Sequence, residues 1–504
     1  RQGEDRLAAL LGVTWNGYGN RSTGDGTLVP SDYEQVWADL AADYFLDNRS
    51  RIGITAQYAK TYDVSSPTAT VTDILDPSFE RIFLALTLTS FDMGSVFSGT
   101  RVSISLDSFV LTQDESFLDS GSGLGTEDDA TRFDLHLEGN LYIIPCHETW
   151  AELTVSYAHL KRQEQILSDG TICGDLQDDQ DVGQVDDQLG KTIDLPSRFA
   201  DLGCGVGVIR EYEAEEILVT ALVEDQYHNE CWDTYGGVRI DYFHVEDNRE
   251  DISEDQVLVG AAGGAAHHLH KRLTVFGNAS IGWRRPSLYE RTATAIVDGT
   301  PVFGNPDLDP ELNANLEVGV KSSYRDRLSF EVAAFGHWID DFIGPVDVLA
   351  GIAGEQILEN LDDVLLYGVE MTGAWRPNTT IEGWELFATL GVTRSTDTDL
   401  VENVPLLWRT GARYSVPAPR GWRVRRWFAE VAGYGATDSA DGPRGGDAYA
   451  TADVVLGVGF DSGDYRGATV GLGVTNVFDV EYTPPASVLP APGASLFVNV
   501  GFTF

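Results

Sequence analysis

The last sixty residues alternate between two kinds of side chain through three successive segments. Most odd positions are small or polar, with glycine and threonine the commonest. The even positions are all apolar: Ala452, Val454, Leu456, Val458, Phe460, Ala468, Val470, Leu472, Val474, Leu496, Val498, Val500, Phe502 and Phe504. A period of two predicts β-strands with one apolar face. Because a soluble sandwich seldom needs so much glycine on its polar face, the pattern favours a transmembrane β-barrel with a lipid-facing and a lumen-facing side.

The composition excludes two other classes of protein. No run approaches the roughly 18 apolar residues that a membrane-spanning helix needs. The chain carries 79 acidic against 34 basic residues, a formal net charge of -45, and phosphate binding needs a basic face, so no nucleic-acid partner is expected. The acidic excess is typical of solvated external loops, and a funnel that gathers cations is the alternative.

Short and long connections alternate along the chain. Asp47 to Ser50 reads as a hairpin turn, 63–77 as a long connection, and the same rhythm continues to the C-terminus. Outer-membrane barrels have short periplasmic turns and long external loops. We therefore predict an all-β protein, a single antiparallel up-and-down transmembrane barrel over 1–504 with about twenty strands and no second globular domain.

The four cysteines lie too far apart for a zinc knuckle and suit disulfides in an oxidising compartment. Cys173 and Cys204 share the longest connection, about 163–213, and are the predicted pair, although other pairings stay open. Six aspartates lie in the same connection, at 175, 178, 179, 181, 186 and 187. They lack the fixed ligand spacing of a calcium loop, so a solvated loop is favoured over a calcium site.

Histidines provide no clear chemical site. His267, His268 and His270 fall in a predicted short periplasmic turn, which disfavours metal chelation for ligand capture. His136 is predicted on the lumen face near Asp134 and Glu138, but polar lumen residues are ordinary. No nucleophile and base occur in a recognisable local context, so we expect a protein that is not an enzyme and has no cofactor.

A series of motifs occurs in a constant order along the second half of the chain. They are Ser280-Ile-Gly-Trp-Arg-Arg-Pro-Ser-Leu-Tyr-Glu-Arg291, Gly304-Asn-Pro-Asp-Leu-Asp-Pro-Glu311, Phe335 with Trp338-Ile-Asp-Asp-Phe-Ile343, Asn360 with Tyr367-Gly-Val-Glu370, Asn476-Val-Phe-Asp479 with Tyr482, and the terminal Phe504. In this order and spacing the chain resembles TonB-dependent outer-membrane receptors over its whole length. Each motif alone also has a structural reading as a turn, a belt aromatic or a strand bend.

The resemblance implies an outer-membrane receptor of a Gram-negative bacterium that imports a scarce ligand with energy from the TonB complex. An iron chelate (siderophore) or haem is the usual cargo. It also implies that the barrel-assembly machinery reads the terminal aromatics Phe502 and Phe504. The family has a plug and 22 strands, so we expect the plug and the first two strands to be missing from this chain, with a strained or gapped seam near Asp5 to Tyr18.

Two other functions compete with import: a passive porin and a surface adhesin barrel. For an importer, the ligand should meet the external loops, chiefly 163–213 and 285–310. Copper binding through thioethers is disfavoured because the chain has two methionines, Met93 and Met371. The predicted ligand-binding residues are Arg284, Arg285, Tyr289 and Arg291, since arginine forks pair with anionic chelates and stack on flat ligands; a purely structural strand end is the alternative.

Overall fold

In the computed structural model, the described residues of the polypeptide form one continuous antiparallel sheet of twenty long strands. The structure describes residues 6–18, 21–22, 28–29, 33–62, 66–67, 73–90, 97–117, 123–141, 144, 146–167, 185–186, 192–193, 208–247, 252–287, 290–291, 294–297, 300–324, 327–347, 356–377, 383–397, 403–419, 424–438, 448–462, 465–485 and 491–503. Among them no helix is long and apolar enough to span a bilayer.

The long strands are numbered here in chain order. They are β1 Leu7–Tyr18, β2 Tyr33–Phe45, β3 Ser50–Tyr62, β4 Asp73–Ser90, β5 Phe97–Phe117, β6 Gly123–Leu141, β7 His147–Leu167, β8 Val208–His228, β9 Trp232–Asp247, β10 Ile252–His270, β11 Leu273–Arg284, β12 Glu311–Tyr324, β13 Leu328–Asp340, β14 Val364–Trp375, β15 Trp384–Ser395, β16 Val404–Pro417, β17 Val424–Ala436, β18 Tyr449–Ser462, β19 Tyr465–Thr475 and β20 Ser495–Thr503. Each pairs with its neighbour in sequence, which confirms the predicted up-and-down order.

The apolar side chains of this sheet lie on its outside. Leu456 is 57% exposed, Leu472 50%, Leu496 70% and Val498 64%, all on the face predicted to meet lipid. Soluble proteins rarely expose so large an apolar surface, whereas a membrane barrel must. A small buried cluster of Phe243, Val245 and Leu258 does not change this arrangement.

Several strands extend further than the sequence pattern indicated. The predicted polar loop 112–130 consists largely of the outer ends of β5 and β6, and β7 pairs with β8 as far as Ile166 opposite Val208. These strand ends lack alternation because no lipid contacts them, while the antiparallel ladder still satisfies their backbone groups. The expected loop boundaries at 112–130 and 163–213 are therefore wrong by several residues at the strand ends.

The first and last strands each have one ladder among the described residues. β1 pairs with β2, β20 pairs with β19, and no register there joins β1 to β20. The predicted seam falls at this place and stays a prediction. Phe502 lies opposite Ala468 in β20, whereas Phe504 lies outside the described residues.

Aromatic rings on the lumen face explain six of the glycines. In six cross-strand pairs the ring of one strand covers a glycine of the next, where an added Cβ would meet the ring. The pairs are Tyr235 with Gly264, Phe276 with Gly319, Phe335 with Gly368, Phe387 with Gly411, Phe428 with Gly457 and Phe497 with Gly473. At these six positions glycine is thus needed as space for a neighbouring ring.

Candidate functional site

Two external connections fold together at the mouth of the barrel. Residues 285–310 join β11 to β12, and residues 341–363 join β13 to β14. Between them they contribute four short strands: Thr294–Val297, Thr300–Phe303, Phe342–Asp347 and Gln356–Leu361. These form one sheet, in which Val302 pairs in parallel with Gln356. We call the two connections together the rim unit.

Several apolar side chains in the rim unit and at its edge are buried. Leu308 is 2% exposed, Val302 and Ile343 are also buried, and so is Val364 at the start of β14. Burying a side chain of this size stabilises a fold by about 1.5–3 kcal/mol. The connection is therefore a folded element with a defined shape, a suitable platform for recognition at the external surface.

Arg284 and Glu311 form the central ion pair of the rim unit. Arg284 donates from Nε and Nη2 to the two carboxylate oxygens of Glu311, at 2.5 and 2.7 Å. Its Nη1 atom donates to both oxygens of Glu290 at 2.9 Å. Glu311 also accepts the backbone N–H of Ile343 at 2.8 Å. One carboxylate thus joins the end of β11 to the second connection.

Glu290 is held by its own connection. It accepts the backbone N–H of Ser287 at 2.8 Å, and the Ser287 hydroxyl lies 3.0 Å from the same carboxylate oxygen. The Glu290 backbone N–H in turn donates to that hydroxyl at 3.1 Å. This reciprocal pair has the geometry of a capping box, which explains the spacing of Ser287 and Glu290 in the motif.

Arg291 lies inside the rim unit. The residue is 2% exposed, and its Nη1 and Nη2 atoms donate to the carbonyls of Pro306 at 2.9 Å and Leu308 at 3.1 Å. Nη1 also forms an ion pair with Glu254 of β10 at 2.6 Å. A buried guanidinium with these partners ties the turn around Pro306 to the barrel wall.

Arg285 contacts the barrel wall at β8, whereas Arg291 contacts it at β10. Its guanidinium makes a forked ion pair with Glu216 of β8, with one contact from Nη2 at 2.5 Å. It also lies over the ring of Phe243, 5.5 Å from the centroid. A cation–π contact together with a forked carboxylate contact is a geometry that lysine cannot reproduce.

Asn360 connects the remaining motif residues. Its Nδ2 atom donates to the carbonyls of Asp309 at 2.9 Å and Asp341 at 3.0 Å, and its Oδ1 atom accepts the Asp309 backbone N–H at 2.8 Å. The motifs from Arg284 to Asn360 therefore meet in one place. Their order along the chain follows from the order of the strands that they connect.

The structure brings three of the four predicted ligand-binding residues to this rim. Arg284, Arg285 and Arg291 each pair with a carboxylate there, and Tyr289 lies outside the described residues. Ligand contact by these residues stays a prediction. Sequence reasoning missed the roles of Glu216 and Glu254, because their partners lie 69 and 37 positions away and no local pattern links them.

The other predicted sites are placed as follows. Cys173, Cys204 and five of the six aspartates of the acidic run, at 175, 178, 179, 181 and 187, lie outside the described residues, and Asp186 lies in a short strand opposite Thr192. Cys146 and Cys231 are free, exposed thiols. His268 pairs with Asp233 at 2.7 Å, at the end of β10. His136 lies between Thr154 at 3.0 Å and Glu138 at 3.2 Å. Among the described residues, no group of three or more metal-ligating side chains could hold an ion.

Aspartates crowd the base of the rim unit. Burial raises the pKa of Asp341, and the charges of Asp340 and Asp309 raise it further. A hydrogen bond with Asp340 raises the pKa of Asp363, and the charge of Asp340 acts in the same direction. The pKa values of Asp341 and Asp363 in the folded protein therefore exceed the ordinary value of 3.8. The contribution of these two groups to the stability of the fold is complete below pH 3.8 and is lost as the pH rises through the raised pKa values.

We expect Asp341→Asn to make the rim unit more resistant to added protease at about pH 7 and to have no effect near pH 4. The gain should be below about 1 kcal/mol, since solvent screens these exposed charges. Asn suits the site because residue 341 has a φ of 57°, which Asn tolerates well. Equal cleavage of both proteins at neutral pH would contradict this expectation.

Comparison with known proteins agrees with this architecture. The family described as TonB dependent receptor-like, beta-barrel matches residues 4–477. An iron-regulated outer membrane virulence protein of Vibrio cholerae serotype O1 is 33% identical over 110 residues, which cover 20% of this chain and 17% of that protein. The match therefore spans much less than two thirds of this relative.

Solved structures with the same fold cover the whole chain. The copper transporter OprC has a TM-score of 0.77 at 15% identity and covers 100% of this chain and 77% of its own. The FrpB iron transporter from Neisseria meningitidis (F5-1 variant) has a TM-score of 0.70 at 13% identity, covering 100% and 79%. The ferric citrate transporter FecA has a TM-score of 0.69 at 10% identity, covering 100% and 74%.

The similar solved structures show the fold of this chain, and the family match shows its evolutionary relationship. The apolar outer face of the sheet suits a membrane-embedded barrel, and the family match places the protein in the outer membrane of a Gram-negative bacterium. Since the match runs from residue 4 to residue 477 and its motifs build the rim unit, the chain belongs to the TonB-dependent receptor β-barrel family.

Proposed function

We propose that this protein is an outer-membrane receptor for TonB-energised uptake of a scarce small ligand, most simply an iron chelate or haem. The observation that carries the proposal is the folded rim unit at the external mouth of a lipid-facing barrel. A passive pore needs no such ordered platform. A receptor does, because recognition requires groups held in fixed positions.

Iron is the cargo class that the comparisons support best. The Vibrio relative is named as iron-regulated, and the FrpB and FecA proteins are named as iron and ferric citrate transporters. OprC is named as a copper transporter, but Met371 here points outward beside Tyr367 and Val369. Met93 lies outside the described residues. A lipid-facing thioether cannot bind a metal ion in the lumen.

The rim arginines have two roles in this proposal. Arg291 is enclosed and has a structural role only, whereas Arg284 and Arg285 also help to hold the rim unit but retain exposed surface beside the lumen mouth and, with Tyr289, meet an anionic ligand. The further partners are the TonB complex, the barrel-assembly machinery acting on Phe502 and Phe504, and outer-membrane lipid. The protein has no enzymatic activity in this proposal and binds no nucleic acid.

Uptake tests the proposal directly. The complete protein is produced in an outer-membrane host that lacks its own iron receptors, and radiolabelled iron is supplied as ferric citrate, haem or a panel of siderophores. We expect accumulation with one class of chelate and its loss when TonB is absent. Accumulation that persists without TonB would favour the porin, and binding to cells without accumulation would favour an adhesin.

A further inference from the structure

A group of three polar side chains recurs on the outer surface of the barrel wall. Each group has a tyrosine and a base two positions apart on one strand, and a carboxylate on the next strand that pairs with both. The groups are Tyr58, Lys60 and Glu80; Tyr157, His159 and Glu215; and Tyr242, His244 and Asp255. In each group the base and the carboxylate are direct cross-strand partners. We call the groups the outward triads.

The exposed apolar residues of the same strands show which way the triads face. Successive side chains of a strand alternate between its two faces. Glu80 therefore shares its face of β4 with Ile82, which is 46% exposed, and Asp255 shares its face of β10 with Val257, which is 61% exposed. This is the lipid-facing side of the sheet. A plug inside the barrel does not cover it, so the exposure of the triads is independent of what fills the lumen.

All three triads lie at the external end of the apolar band. Their carboxylates come two positions beyond Ile82, Ile217 and Val257, toward the long connections. In each triad the tyrosine is the member nearer to the apolar band, and the base lies further out. A tyrosine with its ring in lipid and its hydroxyl in a polar layer is typical of a membrane boundary. The triads are therefore placed in the headgroup layer of the outer leaflet.

The carboxylate of the first triad keeps acceptor capacity after its two contacts. Tyr58 donates to Oε1 of Glu80 at 3.2 Å, and Lys60 donates to Oε2 at 2.8 Å. An ionised carboxylate has about four acceptor sites, and the Glu80 side chain is 41% exposed. The tyrosine and the lysine thus fix the orientation of the carboxylate, while the remaining acceptor sites are accessible from the membrane.

The other two carboxylates are more open. Tyr242 donates to Oδ1 of Asp255 at 2.6 Å, and Nδ1 of His244 lies 3.1 Å from the same oxygen. These two contacts leave Oδ2 as an acceptor on a side chain that is 64% exposed. Glu215 is 52% exposed, and its ion pair with His159 spans 3.7 Å. Each triad therefore presents acceptor oxygens to the headgroup layer.

The charge of the triads favours a ligand that donates hydrogen bonds. The positive charge of Lys60 is balanced by Glu80, and His244 lies between Asp255 at 3.1 Å and Glu246 at 3.2 Å. A phosphate offers only acceptor oxygens and negative charge, which a carboxylate repels. The hydroxyl groups of a sugar are donors, and a hydroxyl bound to a carboxylate forms a strong, charge-assisted hydrogen bond.

We propose that the outward triads bind the saccharide headgroups of glycolipids in the outer leaflet. Sugar hydroxyls donate to the carboxylates of Glu80, Glu215 and Asp255, and the tyrosine and the base of each triad hold that carboxylate in place. The inference concerns the membrane partner of the barrel wall. It goes beyond ligand uptake and does not depend on it.

The lumen face of the same wall offers a matched control. Asp107, Asp134 and Asp241 each pair with an arginine, at 2.6, 2.7 and 2.7 Å. They alternate with lipid-facing residues such as Leu135 and Ile240, which are 39% and 46% exposed. D107N/D134N/D241N therefore removes three paired carboxylates from the lumen face, as E80Q/E215Q/D255N removes three from the lipid face.

Native mass spectrometry of the complete purified protein, in a detergent without sugar headgroups, counts bound lipids during titration. The probes are digalactosyl diacylglycerol and phosphatidylglycerol with the same acyl chains. We expect the unaltered protein to bind the glycolipid more tightly. E80Q/E215Q/D255N should weaken glycolipid binding by about tenfold, the difference between a charged and a neutral acceptor. D107N/D134N/D241N should match the unaltered protein.

A third variant, K60Q/H159Q/H244Q, removes the bases and keeps the carboxylates, so the preference for glycolipid should persist. Tighter binding of phosphatidylglycerol, lost in this variant, would identify a phosphate site and overturn the inference. Equal glycolipid affinities of E80Q/E215Q/D255N and the unaltered protein would overturn it as well. Should that triple variant fail to fold, as judged by heat-modifiable electrophoresis, D255N alone decides, because it should lose one bound glycolipid. Loss of TonB-dependent uptake would contradict the importer and leave this inference in place.

Discussion

Replacement of Glu311 by Gln is expected to open the rim unit while leaving the barrel assembled. Glu311 receives two donors from Arg284 and the backbone N–H of Ile343. An amide presents one oxygen in place of two, so one donor of Arg284 loses its acceptor at Glu311, although the guanidinium keeps its contacts with Glu290. We expect a loss of about 2–3 kcal/mol in the local stability of the rim unit, since Arg284 is partly exposed.

Limited proteolysis of intact cells measures this loss of stability. A separate binding measurement gives the affinity for the chelate that the uptake experiment identifies. Cleavage within 285–310 and 341–363 should become faster and affinity should fall, while the amount of heat-modifiable barrel stays the same. Glu317→Gln is the control, because Glu317 lies further along β12 and contacts Asn278 at 3.3 Å. Unchanged cleavage of the Glu311 variant would show that the ion pair does not hold the rim.

Substitution of Gly457 by Ala should destabilise the barrel wall itself. All three atoms nearest to an added Cβ belong to the ring of Phe428, on the paired position of β17. The ring must move or the strands must separate, and overpacking of this kind costs about 1–3 kcal/mol. The same ring is packed beneath Arg426, at 5.6 Å, so displacing it also disturbs the lumen surface.

A double substitution distinguishes a clash from a backbone effect. Phe428→Leu in the Gly457→Ala background should recover much of the lost thermal stability, measured by the temperature at which heat-modifiable mobility is lost. Gly282→Ala serves as the control, because nothing lies within 4 Å of its added Cβ; there Ala should be neutral or stabilising by about 0.4–1 kcal/mol. If the Phe428 change gives no recovery, the ring is not the obstacle.

The alternation of residues was sufficient to predict the barrel. The alternating apolar positions predict a lipid-facing side, as at Val454, Leu472 and Val498. A strand that separates lipid from water must change polarity at every residue. The order of the motifs from Trp283 to Asn476 was sufficient to identify the family. The alternation and the order of the motifs can both be read along the sequence, so neither requires the tertiary structure.

Strand ends above the membrane were not predictable in this way. Residues 123–130 and 208–213 continue the ladder although their side chains do not alternate. Their extended form depends on the partner strand, which supplies the backbone hydrogen bonds. Alternation in the sequence reflects the different environments of the two faces of a strand. Where water lies on both faces there is no alternation, so the strand cannot be predicted from the pattern.

The roles of the rim arginines were decided by tertiary structure alone. Arg284, Arg285 and Arg291 appeared equivalent in sequence as bases in an external loop. In the folded protein Arg291 is enclosed by carbonyls and Glu254, while Arg285 reaches Glu216 of a distant strand. The sequence by itself determined which residues face lipid and to which family the chain belongs. Folding decided which charges meet, because carboxylates far apart in the chain become neighbours only when the sheet is formed.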